Sequence, residues 1–226
     1  MESRRSVLTI GMSALLAGTA GCVDRIPFLG DDPVEFAATP ASVPQSVVDE
    51  TGYQEHAVEE VVIQETFEAG GRTQDVVVTN WQAEYDKAVD FGGLGLPIDE
   101  RLQAAVFTAL TTPQVRVLGR TFNPVADMSS TDLAEMVQDR YAGLDRLEHV
   151  GEETVAIAGQ STEVGEFEGE ADLIGADVSV SLTLHIAEAV ESGDDLIIGV
   201  GGYPTPLQDQ ERPNVVALME AIEHDG

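Results

Sequence analysis

A serine that attacks an acyl group from a nucleophile elbow needs G-x-S-x-G, because the residue must stand on a sharp strand-to-helix turn. The nearest string is Gly159-Gln160-Ser161-Thr162-Glu163, which lacks the second glycine and runs into a strand-like pattern. Gly-rich strings at 92–95 and 199–202 do not complete G-x-G-x-x-G, and neither leads into a helix that would offer its N-terminus to phosphate. Both read as turns. Four histidines, His56, His149, His185 and His224, are scattered, with no H-E-x-x-H or H-x-H pair. His185-x-x-Glu188 would join two metal ligands on a helix, but on a strand the two side chains project to opposite faces, so surface or hydrogen-bonded roles are expected. No D-x-[DN]-x-[DN]-G calcium loop occurs. Glycosidase-like carboxylate pairs carry no signal in a chain with 41 acids. The expectation is a protein that is not an enzyme, with no catalytic residue, no metal and no cofactor, and with its binding residues unknown.

Cys22 is the one cysteine. It closes a leader in which Ser3-Arg4-Arg5 precedes an uncharged stretch, residues 6–23, so Arg4 and Arg5 read as a twin-arginine export signal. The apolar part, residues 7–20, falls short of the roughly 20 residues that a spanning helix needs. Leu16-Ala17-Gly18-Thr19-Ala20-Gly21-Cys22 resembles a lipoprotein signal, with Thr19 where such motifs more often carry Leu. That resemblance implies cleavage before Cys22 and lipid attachment to it. A lone cysteine at this position argues against a buried filler or a catalytic thiol. Two hydrocarbon chains, at about 0.8 kcal/mol per buried CH₂, make a stable anchor. The expected organisation is a signal peptide over 1–21, a tether over 22–32 and a single α+β domain over 33–226. The expected address is the outer face of the cell membrane, with the membrane itself a partner through the lipid on Cys22.

Eleven Lys and Arg face 41 Asp and Glu, a formal net charge of −30, and the basic side is ten Arg and the single Lys87. Such a sheath repels phosphate backbones, which excludes a nucleic-acid partner and leaves an unknown protein or small molecule. Excess carboxylate with almost no lysine reads as halophilic, because at about 1 M salt the Debye length is only about 3 Å and self-repulsion is screened. Acidic pairs such as Asp31-Asp32, Glu152-Glu153 and Asp194-Asp195 accordingly read as solvated surface.

The elements follow from periodicity. Residues 34–38 read as a first strand, and Pro44 early with Gly52 at the end frames a short helix. Runs at 55–68 and 72–87 flank a Gly-Gly break and read as a hairpin, the second alternating Val77, Thr79, Trp81, Ala83 and Tyr85. Trp81 is expected in the core, with a ligand-stacking platform the sharper alternative. Residues 101–110 put Leu102, Ala104, Val106, Thr108 and Leu110 on one face, and 114–122 reads as one further strand. Ser129-Ser130-Thr131-Asp132 has capping-box spacing, and Leu133, Met136, Val137, Arg140, Tyr141 and Leu144 continue it as an amphipathic helix. Strand patterns at 152–159, 161–173, 176–191 and 195–202 precede a last helix opened by Pro213. Tyr203-Pro204 and the 91–96 loop are the apolar features from which a pocket would be built if both reach one end of the sheet.

Strands joined by tight turns with few helices define α+β: an antiparallel sheet covered by a mid-chain helix and a C-terminal helix. This order is similar to that of Mog1/PsbP-like domains. A nearer resemblance, to uncharacterised haloarchaeal lipoproteins, rests on Thr51-Gly52-Tyr53, Thr112-Pro113, Gly119-Arg120, Asn123-Pro124 and Gly201-Gly202-Tyr203-Pro204. It covers residues 33–226 and implies a cell-surface family with no catalytic residues to carry over. The reading that follows is a lipid-anchored, non-catalytic binding or interaction module. The alternatives are an exported hydrolase using surface carboxylates and a structural envelope component.

Overall fold

The structure, a computed structural model, describes residues 33–69, 72–90, 101–117, 120–121, 123–140, 144–172 and 179–226. The leader with Arg4, Arg5 and Cys22, the tether, Asp31-Asp32 and the 91–96 loop lie outside the described residues.

Thirteen strands and three α-helices are described: β1 (Val34–Ala37), β2 (Ala41–Ser42), α1 (Gln45–Thr51), β3 (Gln54–Ala69), β4 (Arg72–Asp90), β5 (Arg101–Pro113), β6 (Arg116–Val117), β7 (Arg120–Thr121), α2 (Ser130–Arg140), β8 (Leu144–Ile157), β9 (Gln160–Asp172), β10 (Ser179–Ala187), β11 (Val190–Ser192), β12 (Asp195–Pro204), α3 (Gln208–Glu220) and β13 (Glu223–His224). The main sheet runs β3-β4-β5-β12-β10-β9-β8. β1 pairs with β4 over Val76 to Thr79, on the edge that β5 occupies further along, and β11 takes the place of β10 beside the start of β12. The β1–β4 pairing is parallel, so the sheet is mixed rather than purely antiparallel. The long crossover that a parallel pair requires is supplied by everything from β2 to β3.

Two apolar clusters lie on the two faces. Val48 of α1 and Val215, Leu218 and Met219 of α3 join Ala83, Tyr85, Phe107, Ile157 and Ile197. Leu133 and Ala134 of α2 join Phe167, Leu184, Ile186, Leu196 and Ile198. Because β12 buries residues of both parities, its run reads as continuously apolar. On β5 the buried parity is the other one from the face read in the sequence: Ala105, Phe107 and Ala109 are buried, while Val106 is 45% exposed.

Local signals explain the helix ends. Asp132 N–H donates to Ser129 Oγ at 3.2 Å and Ser129 N–H donates to Asp132 Oδ2 at 3.0 Å, the reciprocal pair of a capping box. Gly52 closes α1 at φ 76°, where a side chain would be strained. Three expectations change. α2 stops at Arg140, and Leu144 opens β8 while still packing in the Leu133 cluster. Pro213 lies inside α3, which starts at Gln208 behind a 3-10 turn, Thr205–Leu207. The run 114–122 holds the short β6–β7 pair instead of one strand.

Candidate functional site

Small residues on β12 let α3 approach the sheet. A Cβ on Gly201 would lie 2.3 Å from Val215 Cγ1, so α3 rests directly on that backbone. His185 is the cross-strand partner of Gly201 on β10 and so projects to the same face of the sheet. Its ring is fully buried, and Nε2 lies 2.7 Å from the Tyr203 hydroxyl, while Nδ1 has no hydrogen-bond partner. Glu153 Oε1 is 3.9 Å from that nitrogen. Burial, with the Arg212 charge adding to it, pushes His185 down from 6.5 to about 4, so the ring is neutral at pH 7. Burial also raises the Tyr203 hydroxyl. Of the two roles expected for His185, hydrogen-bonded or surface, the structure shows the hydrogen-bonded one, in a buried ring.

Arg212 of α3 bridges Glu153 of β8 at 3.3 Å and Glu166 of β9 at 3.8 Å, and Gln208 Nε2 donates to Glu166 at 2.6 Å. Deeper in the same face, Lys87 Nζ donates to Glu211 at 2.8 Å and to the Thr51 carbonyl at 3.0 Å. It therefore ties β4 to the end of α1 and the first turn of α3. Glu211 is 3% exposed, and Asn214 Nδ2 donates to its second oxygen at 3.1 Å. Its place in the first turn of α3 also opposes the positive end of the helix. The Tyr53 ring lies under Lys87, 5.6 Å from Nζ to centroid, and burial beside Glu211 pushes its hydroxyl well up.

This polar row opens at the β8–β9–β10 edge into a shallow cleft of about 240 Å³, whose walls include Arg146, Glu148, Glu168, Glu170, Ser181 and Thr205. A bulge between Asp145 and Glu148 shapes it, and Arg146 within the bulge takes φ 58° and pairs with Glu170. Thr183 Oγ donates to Thr205 Oγ at 3.0 Å and links the cleft to the His185 row. No residue of this cleft was singled out by the sequence, because its walls come from three strands and a turn that no short motif spans. Among the described residues no group of three His, Cys, Asp or Glu could hold a metal ion, and no helix is long and apolar enough to cross a membrane.

Other singled-out residues fall elsewhere. Tyr203 and Pro204 are buried, so they form core and not a pocket wall. Trp81 is half-exposed and belongs to neither core cluster. It shares a face with Ala83 and Tyr85, but it sits between Glu60 of edge strand β3 and Thr111, beyond the part of β4 that the clusters include. Asp195, read as solvated with Asp194, is 4% exposed, and its carboxylate accepts the Thr39 amide at 2.8 Å. Burial pushes that carboxyl up against the opposing pull of the amide and of His224.

The fold and the cleft define an α+β sheet domain with a polar cleft at one sheet edge. The model of the family described as a domain of unknown function, DUF6517, matches residues 40–223, and the chain belongs to that family. No curated protein matches it. Among solved structures it is similar to the solution structure of cyanobacterial PsbP (CyanoP) from Synechocystis sp. PCC 6803, at 12% identity and a TM-score of 0.36, over 90% of this chain and 99% of that one.

Proposed function

We propose that this chain is a lipid-anchored domain on the outer face of a cell membrane in a salt-rich setting, and that it holds a partner at the β8–β9–β10 cleft without chemistry there. Arg4, Arg5 and Cys22 support the export and the anchor. The observation that carries the recognition is the composition of the cleft. With Arg146 engaged by Glu170, what remains for a ligand is the carboxylates of Glu148 and Glu168 and the hydroxyls of Ser181 and Thr205. That set accepts more hydrogen bonds than it donates, so it suits a ligand presenting amino or hydroxyl groups. In molar salt, steering over long distances is screened, and recognition rests on direct contact.

The test is made on intact cells at native salinity, with a photoreactive residue in place of Ser181. Capture of one stoichiometric species, abolished by Glu148→Lys with Glu168→Lys, is the expected result; capture indifferent to those charge reversals overturns the cleft reading. The same cells test the anchor: Cys22→Ser moves the protein from membranes to the medium, and unchanged retention overturns lipidation.

A further inference from the structure

The turn between β11 and β12 is the two-residue link Gly193-Asp194, and it sets Ser192 directly opposite Asp195. β13, paired with β2, lays His224 over this turn. His224 Nε2 is 3.1 Å from Asp195 Oδ2 and 3.2 Å from the Thr39 carbonyl oxygen. Asp195 Oδ2 already accepts the Thr39 N–H, so both partners of Nε2 are acceptors and the ring proton belongs on Nε2. Nδ1 then carries its lone pair toward Ser192 Oγ, 3.0 Å away, and accepts the hydroxyl proton. The His224 and Asp195 side chains are 0% and 6% exposed, whereas Ser192 is half-exposed beside the exposed Gly193 and Asp194. A base shielded from water, oriented by a carboxylate and bonded to a reachable hydroxyl is how serine is activated as a nucleophile, here with the two ring nitrogens exchanged relative to the commoner arrangement.

We propose that Ser192, His224 and Asp195 form a nucleophilic serine site that accepts acyl groups from small carboxylic esters. Ser192 Oγ bonds to the ester carbonyl carbon while its proton passes to His224 Nδ1. The bond to the alcohol oxygen breaks, and that oxygen takes the proton from Nδ1. Water then attacks the acyl-serine by the same route, releasing the carboxylic acid and restoring the hydroxyl. Asp195 acts as a positioning residue, holding the ring through Nε2. Small substrates are favoured because one flank of the turn is filled: a Cβ on Gly193 would lie 2.5 Å from the Gly226 carbonyl carbon. The site is independent of the cleft reading, since Asp195 opens the ten-residue β12 and Thr205 follows its last residue, roughly 30 Å away along the strand.

The experiment is covalent labelling of the purified protein in molar salt with an alkyl fluorophosphonate, the modified peptide being located by mass spectrometry. Labelling at Ser192 is expected, absent in Ser192→Ala, slowed roughly a hundredfold in His224→Gln by loss of the base, and slowed with an altered pH profile in Asp195→Asn. No adduct at Ser192, or equal rates in wild type and a folded His224→Gln, reduces the triad to a tie between β13 and the turn and overturns the proposal. Should His224→Gln fail to fold, the wild-type pH profile decides. A rate that rises as a single base loses its proton supports the site, and a flat profile overturns it.

Discussion

Nδ1 of His185 faces Glu153 across 3.9 Å with no hydrogen bond, while Nε2 is held by Tyr203, and this asymmetry makes the ring a liability in acid. Its pKa is about 4 in the fold against 6.5 for an ordinary histidine. The unfolded chain therefore binds the extra proton first, and stability falls as pH drops from 6.5 toward 4. At 1.36 kcal/mol per pH unit the loss is on the order of 3 kcal/mol, complete near pH 4 and absent above 6.5. His185→Gln keeps a partner for Tyr203 without a titrating ring, so urea unfolding of this variant is expected to show a shallower decline over that interval; a slope equal to wild type would remove His185 as the cause. The sequence left His185 as a surface or a hydrogen-bonded residue, and only the packing of α3 on the sheet shows that it is buried and bonded to Tyr203. It could not show that Asp194 and Asp195 part company, one in water at the turn and one buried at the start of β12, since only the contacts from Thr39 and His224, remote in sequence, say which is inside.

At the scale of elements, the Gly201 contact decides how closely α3 lies on the sheet. Gly201→Ala would drive its methyl into Val215 Cγ1 and Cγ2, 2.3 and 2.9 Å from the new carbon, both on a buried branched side chain with little room to turn. Overpacking of this kind costs about 1–3 kcal/mol. The urea midpoint in molar salt is expected to fall accordingly, with Gly201→Ala with Val215→Ala restoring part of it; an unchanged midpoint would mean that α3 is free to lift. Elements with a local signature were legible, namely the β3–β4 hairpin from its alternation, α1 from Pro44 and Gly52, and α2 from its capping box. What failed had a nonlocal cause. The parallel pairing of β1 leaves no mark on four residues, and Leu144 matches the α2 period while serving the same core from β8. Trp81 alternates with buried neighbours, yet whether anything covers it depends on helices distant in sequence.

For the whole molecule, a net charge of −30 sets the conditions under which these contacts can hold. Lowering salt from about 1 M to about 0.1 M lengthens the Debye reach from about 3 Å to about 10 Å, so carboxylates that ignored one another begin to repel across strands. β3 already carries Glu55, Glu59, Glu60 and Glu65 along an exposed edge. The far-ultraviolet circular-dichroism signal of the purified protein is expected to collapse on dilution and to return with salt; a spectrum indifferent to dilution would remove charge screening from the account. The Lys87–Glu211 pair, with its carboxylate buried and its lysine side chain 25% exposed, has a further consequence at this scale. It engages the ammonium of the one lysine in the sequence, which leaves no uncommitted side-chain amine on the folded protein. Amine-directed acylation would find little to modify, and a lysine-specific protease has a single site whose cleavage waits for β4, α1 and α3 to come apart, so cutting at that bond counts global openings of the core one molecule at a time.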